Sequence, residues 1–339
     1  MTARSEITID RAALRANVRR LRAALGGAEL WAVVKANGYG HGAALVGATA
    51  VEEGVMVLCV ASVGEGLALR RELSEPRILV FGPTEPPEHR GAREARLELT
   101  IADGRLPAGI PLHIKVDTGM GRWGLGDAVA SSPDVVGLMS HLAAADSDPS
   151  FTARQIERFA EIAGRHPGLT RHLANSAGIL RYPEARFDAG RAGIALYGIS
   201  PFGTDPAADG LTPVLSWRSR IAQVKRLAHG ESTGYNRRFV ADQPTWIGLV
   251  PVGYADGFRR SLTGTEVLVG GVPRTVIGTI SMDSLAVALE EPVEAGTPVT
   301  LVGDGLLIEE LAAAAGTIAY ELACGIDSSE ARAERVVLG

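Results

Sequence analysis

Cysteine is nearly absent. Cys59 and Cys324 are the two in 339 residues, which excludes a disulfide framework and fits a reducing compartment. Cys59 lies in VMVLCVA and Cys324 in YELACGI, so both read as buried small hydrophobes. No run of about 18 uncharged apolar residues occurs, so no membrane span is expected. The opening MTARSEITIDRAALRANVRRLR has no apolar core and carries acidic residues; it is not read as a secretion signal, and a cytoplasmic protein is expected. Basic excess is also missing. A net charge of −5 leaves no electrostatic footprint for nucleic acid or an anionic membrane. No metal-ligand set is assigned. What is present in quantity is glycine, 41 residues against a usual ~7%, which suits tight turns and close backbone approaches. The 46% hydrophobic and 22% charged shares are those of a globular protein with a sizeable core.

Along the first half, short apolar runs alternate with helical stretches. Ser5 to Ile9 reads as a strand, and Asp10 as the cap of a helix over 11–25 that Gly26 and Gly27 end. Strands are expected at 30–34, 55–61, 77–81, 97–101, 112–116, 135–141, 170–174 and 187–189. Helices are expected at 42–53, 63–73 and 152–165. Runs that are apolar throughout, separated by helices, indicate buried parallel strands. Eight of them indicate a (β/α)8 TIM-like barrel. Segments 83–96, 101–112 and 121–134 carry little helical pattern, so some barrel helices are expected to be reduced or lost. After Pro213 the strand-like segments 216–227, 245–250, 267–269, 272–280, 284–288 and 298–302 are spaced by Gly, Pro and Asp. They indicate a C-terminal antiparallel β domain, with one last helix at 308–315. The expected domains are 10–205 and 213–339, the second joined by strand 5–9.

AVVKANGYGHG places Lys35 directly after an apolar strand. Chemistry in parallel barrels is done at the strands' C-terminal ends, and apolar walls there disfavour the charged form of a lysine, as a Schiff-base lysine requires. An ion-paired lysine before an ordinary turn fits the same residues equally well.

AVVKANGYGHG resembles the cofactor-attachment motif of the alanine racemases. Also similar to that family, in its order, are KVDTGMGRWG (115–124), SHLAAAD (140–146), HLANSAG (172–178), GRAGIALYG (190–198), STGYNRRF (232–239), VGYADGFRR (252–260), GTISMD (278–283) and AYELACG (319–325). The resemblance implies that Lys35 binds pyridoxal 5'-phosphate covalently and that Tyr39, Ser176, Gly193, Ile194 and Tyr320 hold its phosphate. It implies that Arg191 partners the pyridine nitrogen. An arginine donates and cannot accept a hydrogen bond, which limits electron withdrawal into the ring and favours return of the proton over transamination.

Racemisation needs an acid/base group on each face of the substrate. The resemblance assigns Lys35 to the D-enantiomer's proton and Tyr235 to the L-enantiomer's. A tyrosine's ordinary pKa near ~10 is high for a base at neutral pH, so positive charge is needed, and the His141–Arg191 pair is expected to supply it. Arg122 corresponds to the residue that meets the cofactor's phenolic oxygen and the substrate carboxylate. Lys115 corresponds to a lysine that some family members carry as a carbamate. Tyr254, Met282 and Asp283 correspond to residues on the substrate side. In the family, Tyr235, Tyr254, Met282 and Asp283 act on the partner's barrel, so a homodimer with shared sites is expected.

The chain departs from the family pattern at Thr279, where an arginine is frequent, in its less regular tail, and in the trimmed segments between 83 and 134. The expected function is interconversion of L- and D-alanine, supplying D-alanine for peptidoglycan. A racemase that also takes serine, a same-fold decarboxylase of basic amino acids or diaminopimelate, and a silent cofactor-binding protein are the alternatives. STGYNRRF and GTISMD speak against the decarboxylase.

Overall fold

The computed structural model describes residues 3–126 and 131–339. Strand β1 (Glu6–Asp10) leads into helix Arg11–Leu25. Asp10 caps this helix, its Oδ1 accepting the Ala12 N–H at 2.7 Å, and Gly26 at φ 67° ends it. Eight parallel strands follow: β2 (Glu29–Val33), β3 (Val57–Val60), β4 (Arg77–Val80), β5 (Leu97–Ile101), β6 (Leu112–Lys115), β7 (Val135–Met139), β8 (Thr170–His172) and β9 (Ala189–Ala192). They close in sequence order, β9 pairing back onto β2 with Trp31 opposite Arg191. Strands β3, β5 and β6 are buried along their whole length, which is why they read as unbroken apolar runs.

The expected strand at 187–189 lies instead at 189–192. Phe187 takes φ 46°, which breaks an extended run, and the strand itself is the small and polar AGRA. Helices Ala43–Glu52, Val63–Glu72 and Pro149–Gly164 fall on the expected segments. Ser62 and Asp148 cap the last two by accepting the N–H groups of Glu65 and Phe151. The barrel is less trimmed than the sequence pattern implies, because Pro86–Glu94 is a helix. It buries only Ala92, too little for an apolar stripe, and is set by its first turn, where Glu88 accepts the Glu85 N–H at 2.8 Å. No helix joins β5 to β6. Of the segment 121–134, residues 127–130 lie outside the described ones, and the remainder holds no helix.

The chain divides into two compact units, one of residues 13–202 with 206–212, the other of 1–12, 203–205 and 213–339. The second contains β10 (Leu215–Arg220), β11 (Gln223–Leu227), the short hairpin of β12 (Ser232–Thr233) and β13 (Phe239–Val240), then β14 (Thr245–Val250), β15 (Glu266–Val269), β16 (Val272–Ile277), β17 (Leu285–Leu289), β18 (Pro298–Val302) and β19 (Glu334–Leu338). Eight of these strands, with β1, form one nine-stranded sheet in the order β11-β14-β17-β16-β15-β18-β10-β1-β19. All its neighbours are antiparallel except β1 and β19. The expected strand 216–227 is two strands, since Ile221 hands its N–H to Thr297 and Ala222 to Leu249 on a different neighbour. Helix Ile308–Ala314 is followed by a second, Ala319–Gly325, and the tail forms β19. On that second helix Cys324 is exposed, not buried, while Cys59 is buried. No helix of the described residues is long and apolar enough to cross a membrane.

Candidate active site

Lys35 follows β2 at the C-terminal mouth of the barrel. The turn after it is more contorted than its glycines require. Ala36, Asn37, Gly38 and Tyr39 all take φ between 51° and 63°, a left-handed run that costs the non-glycine residues roughly 1–3 kcal/mol each and concentrates at functional sites. Its anchors are the Ala36 N–H on Glu65 at 2.8 Å and Asn37 Oδ1, which accepts the Ala43 N–H at 3.1 Å. The run turns Tyr39 inward against Tyr197, ring centroids 4.9 Å apart, and Tyr197 donates its hydroxyl to the Val33 carbonyl at 2.8 Å.

Tyr39 reaches Gly193. A Cβ built on Gly193 would fall 2.5 Å from the Tyr39 hydroxyl oxygen, so the position requires glycine. Ser176 Oγ accepts the N–H of Gly193 at 3.0 Å and of Ala195 at 3.3 Å. With both acceptor sites of its oxygen engaged, the Ser176 hydroxyl has its own proton to give elsewhere. The cap of helix Ser176–Arg181 is Asn175, which accepts the Gly178 N–H at 2.9 Å, so Ser176 is free of that duty.

Arg191, 3% exposed, is held from several sides. Its NH1 donates to His172 Nδ1 at 2.9 Å and to the His172 carbonyl at 2.6 Å. Its NH2 meets the Ser140 carbonyl at 2.7 Å, the Leu173 carbonyl at 3.1 Å and His141 Nδ1 at 3.3 Å. Burial lowers its pKa to about 10, which leaves it charged at neutral pH. His141 is different. Burial, and then the Arg191 charge, hold it well below its ordinary value. The positive charge expected of the His141–Arg191 pair therefore resides on Arg191 alone.

Lys115 ends β6 and is buried, its Nζ 5.9 Å from the Trp123 ring centre. Burial, then the charges of Arg122 and Arg191, lower its pKa to about 8. Arg122 is exposed and stacks on the same indole, 5.7 Å from its centre. The turn before it is fastened by Asp117, which accepts the N–H groups of Gly119 and Gly121.

Tyr235, Tyr254, Met282, Asp283 and Tyr320 belong to the second unit. Tyr235 is 68% exposed in a turn where Gly234, Asn236 and Arg237 all have positive φ. Thr279, the departure from the family's arginine, donates its hydroxyl to the Tyr235 carbonyl at 3.0 Å. A Cβ on Gly234 would fall 2.8 Å from the Thr279 nitrogen, so the two turns are in intimate contact. Tyr254 and Met282, 42% and 51% exposed, lie on loops fastened by the Tyr254 N–H on Ser281 and the Ala255 N–H on Met282. The Asp283 carboxylate accepts from Arg332 at 2.7 Å, and the buried Asp256 pairs with Arg4 at 3.2 Å and Arg332 at 3.4 Å. Both ends of the chain thus brace the loop that carries Met282.

The sequence reading missed Glu98, His113 and His172, buried in the barrel, and Arg77, exposed at the start of β4, which pairs with Glu98. The available signal was a polar residue at an inward position of an apolar strand, as in LELTI and LHIK.

A lysine at the C-terminal mouth of a parallel barrel, with a buried arginine and a hydroxyl-lined cradle carried by the later strands, is the pattern of a barrel enzyme, here with a separate β-sheet unit. Comparison narrows the class. The alanine racemase N-terminal domain model matches residues 9–201 and the C-terminal domain model residues 214–337. Alanine racemase of Symbiobacterium thermophilum is 38% identical, with 94% of this chain and 93% of that protein aligned. That of Methylobacterium nodulans is 39% identical over 96% and 94%. Among solved structures, alanine racemase from a D-cycloserine-producing Streptomyces lavendulae superposes with a TM-score of 0.90 at 34% identity, covering 100% of this chain and 98% of that one. The Bartonella henselae alanine racemase with covalently bound pyridoxal phosphate superposes at 0.89 and 26% identity, covering 98% and 99%. The chain belongs to the alanine racemase family, isomerases that interconvert L- and D-alanine.

Proposed function

We propose that this chain racemises alanine by two-base proton transfer, with pyridoxal 5'-phosphate held at the barrel mouth. The cradle carries the reading: Ser176 Oγ fastened by two backbone N–H groups, with Gly193 leaving room only for the Tyr39 hydroxyl. These residues fit a phosphate, offering the Ser176 and Tyr39 hydroxyl protons and the backbone of Ile194, with Gly193 and Tyr320 assigned by family likeness. Bound there through Lys35, the cofactor supplies the electron sink for the substrate's α-carbon.

The remaining steps fall to the protein. Arg191 has committed its terminal nitrogens to protein acceptors, which leaves Nε–H for the ring nitrogen. Being donor-only, it keeps that nitrogen unprotonated. Lys35 Nζ takes or returns the α-proton on one face and Tyr235 Oη on the other. Arg122 receives the substrate carboxylate. Lys115, with its lowered pKa, holds more free amine than an ordinary lysine and is suited to form a carbamate, an anion that orients Arg122. Tyr254 and Met282 narrow the pocket toward a methyl side chain, a preference worth a few kcal/mol.

The exposure of Tyr235, Tyr254 and Met282 supports a homodimer in which they complete the partner's site. A demonstrably monomeric sample with full activity would end that part of the reading. D-alanine made in the cytoplasm for peptidoglycan is the role that follows. The test is incubation with pyridoxal phosphate and L-alanine in deuterated water, following D-alanine and α-deuterium together. Both should rise. Bound cofactor without exchange would favour serine or a basic amino acid as substrate and, if those too were inert, a silent binding protein.

A further inference from the structure

Barrel interiors are ordinarily filled by layers of branched apolar side chains. Here Glu98, His113, His172 and Arg191 occupy β5, β6, β8 and β9, all buried, and they are hydrogen-bonded in series. His113 Nε2 lies 2.9 Å from Glu98 Oε2, His113 Nδ1 lies 2.9 Å from His172 Nε2, and His172 Nδ1 lies 2.9 Å from Arg191 NH1. Arg77 closes the far end, Nε to Oε1 of Glu98 at 2.6 Å and NH2 to Oε2 at 2.9 Å.

Elementary hydrogen-bond chemistry orients every link. A guanidinium cannot accept, so His172 Nδ1 is bare and its proton sits on Nε2. His172 donates that proton to His113 Nδ1, so His113 carries its own on Nε2 and donates it to the carboxylate, which only accepts. The two ends agree, and no link has to be reversed. The seat is also built for these rings. A Cβ on Gly137 would fall 2.1 Å from His113 Nδ1, so β7 leaves a notch for the imidazole. Trp31 packs against both imidazoles, 5.7 and 4.4 Å between centroids. Burial keeps His113 and His172 neutral. Burial also works against the Glu98 anion, but the hydrogen bonds from His113 and Arg77 outweigh it and hold the carboxyl down at about 2.

Arg191 needs such a chain. The partners of its terminal nitrogens are backbone carbonyls and imidazoles, none of them anionic. We propose that Glu98 is a positioning residue for Arg191, acting through His113 and His172: the carboxylate polarises both imidazoles one way, so that Arg191 keeps a fixed acceptor and a wired counter-charge. This rests on the reading that Arg191 faces the cofactor's ring nitrogen.

The decisive observation is the ring-nitrogen spectrum of 15N-histidine-labelled holoenzyme. In the wild type, His113 and His172 should each show a single neutral Nε2–H form. In Glu98→Gln, where a neutral amide oxygen replaces the carboxylate while Arg191 still fixes the direction of the chain, the His113 Nε2 resonance should move as its hydrogen bond weakens, His172 should follow to a smaller degree, and the bound cofactor's absorption maximum should shift. On the scale usual for outer supporting partners, kcat should fall on the order of tenfold with KM little changed, and Glu98→Asp should recover much of the loss. If Glu98→Gln fails to fold, Arg77→Met/Glu98→Gln removes both charges together and takes its place. A folded variant with unchanged histidine signals and cofactor spectrum overturns the proposal. If the wild type shows the expected tautomers but neither binds the cofactor nor racemises alanine, the functional reading fails and the orientation of the chain stands.

Discussion

Arg191 is 3% exposed with five acceptors around its terminal nitrogens, whereas Tyr235 is 68% exposed and the bond from Thr279 fixes only its backbone. The same contrast separates Ser176 and Tyr39 on the barrel from Tyr254 and Met282 on the second unit. Barrel groups are immobilised in a dry interior, where donors are strong because no reorganisation is needed. Groups on the second unit have hydrogen-bonded backbones and open side chains. Such a division suits a permanent cofactor seat on one side and, on the other, residues that meet an arriving substrate or a second subunit.

Substitutions can break or sharpen this contrast. Lys35→Ala should have the largest effect, a loss of racemisation on the order of 10^4-fold or more together with the absorption band of lysine-bound cofactor. Activity surviving without that band would refute the barrel side of the site. Tyr235→Phe should lower α-deuteration starting from L-alanine by about 10^2- to 10^4-fold, with a smaller effect from D-alanine. Equal loss from both enantiomers would remove Tyr235 from its assigned face.

Lys115 offers a finer test of how far the barrel environment alters its residues. It titrates near 8 against ~10.4 for an unfolded lysine, so the folded state binds less proton between these values. Its contribution to stability therefore rises with pH across that window and is lost as pH falls through it. Free amine in the folded protein, and with it carbamate, should increase as pH rises toward 8, below that window. 13C-bicarbonate should give a carbamate resonance that Lys115→Met abolishes and that weakens at pH 6. Absence of the signal at pH 8 would leave Lys115 as an unmodified amine. The smallest effect is expected from Thr279→Val, which removes one hydrogen bond to the Tyr235 carbonyl, worth about 1 kcal/mol. A severalfold drop in kcat from L-alanine with normal cofactor binding is expected; unchanged kinetics would mean that Gly234 alone sets the turn.

Much of the barrel was legible because its strands are buried on both faces and so stand out as apolar runs. Strand β9 was displaced in the reading because AGRA has no apolar signal, its single large side chain being the buried Arg191. The helix Pro86–Glu94 was missed because it buries one alanine, and β19 because its residues are nearly all exposed at a sheet edge. That Lys35, Tyr39, Ser176, Arg191 and Gly193 belong together was legible through their motifs. Glu98, His113 and His172 were not, because alternation along a strand does not tell which face is the lumen. Cys324 misled for a related reason: its neighbours Leu322 and Ala323 are buried, and only the phase of a short helix turns the thiol outward.

The pairing of β1 with both β10 and β19 has a consequence for how the molecule is made. Strand β1 leaves the ribosome before either neighbour, and finds them only after the whole barrel, and then residues 334–338, have been synthesised. The barrel strands pair in sequence order and are complete before that, so the barrel can fold during synthesis. The sheet must instead close a loop of about two hundred residues, an entropic cost that the prior collapse of the barrel greatly shortens. Until residues 334–338 arrive, β1 has an open edge, and the nascent chain is at its most vulnerable to pairing with a copy of itself.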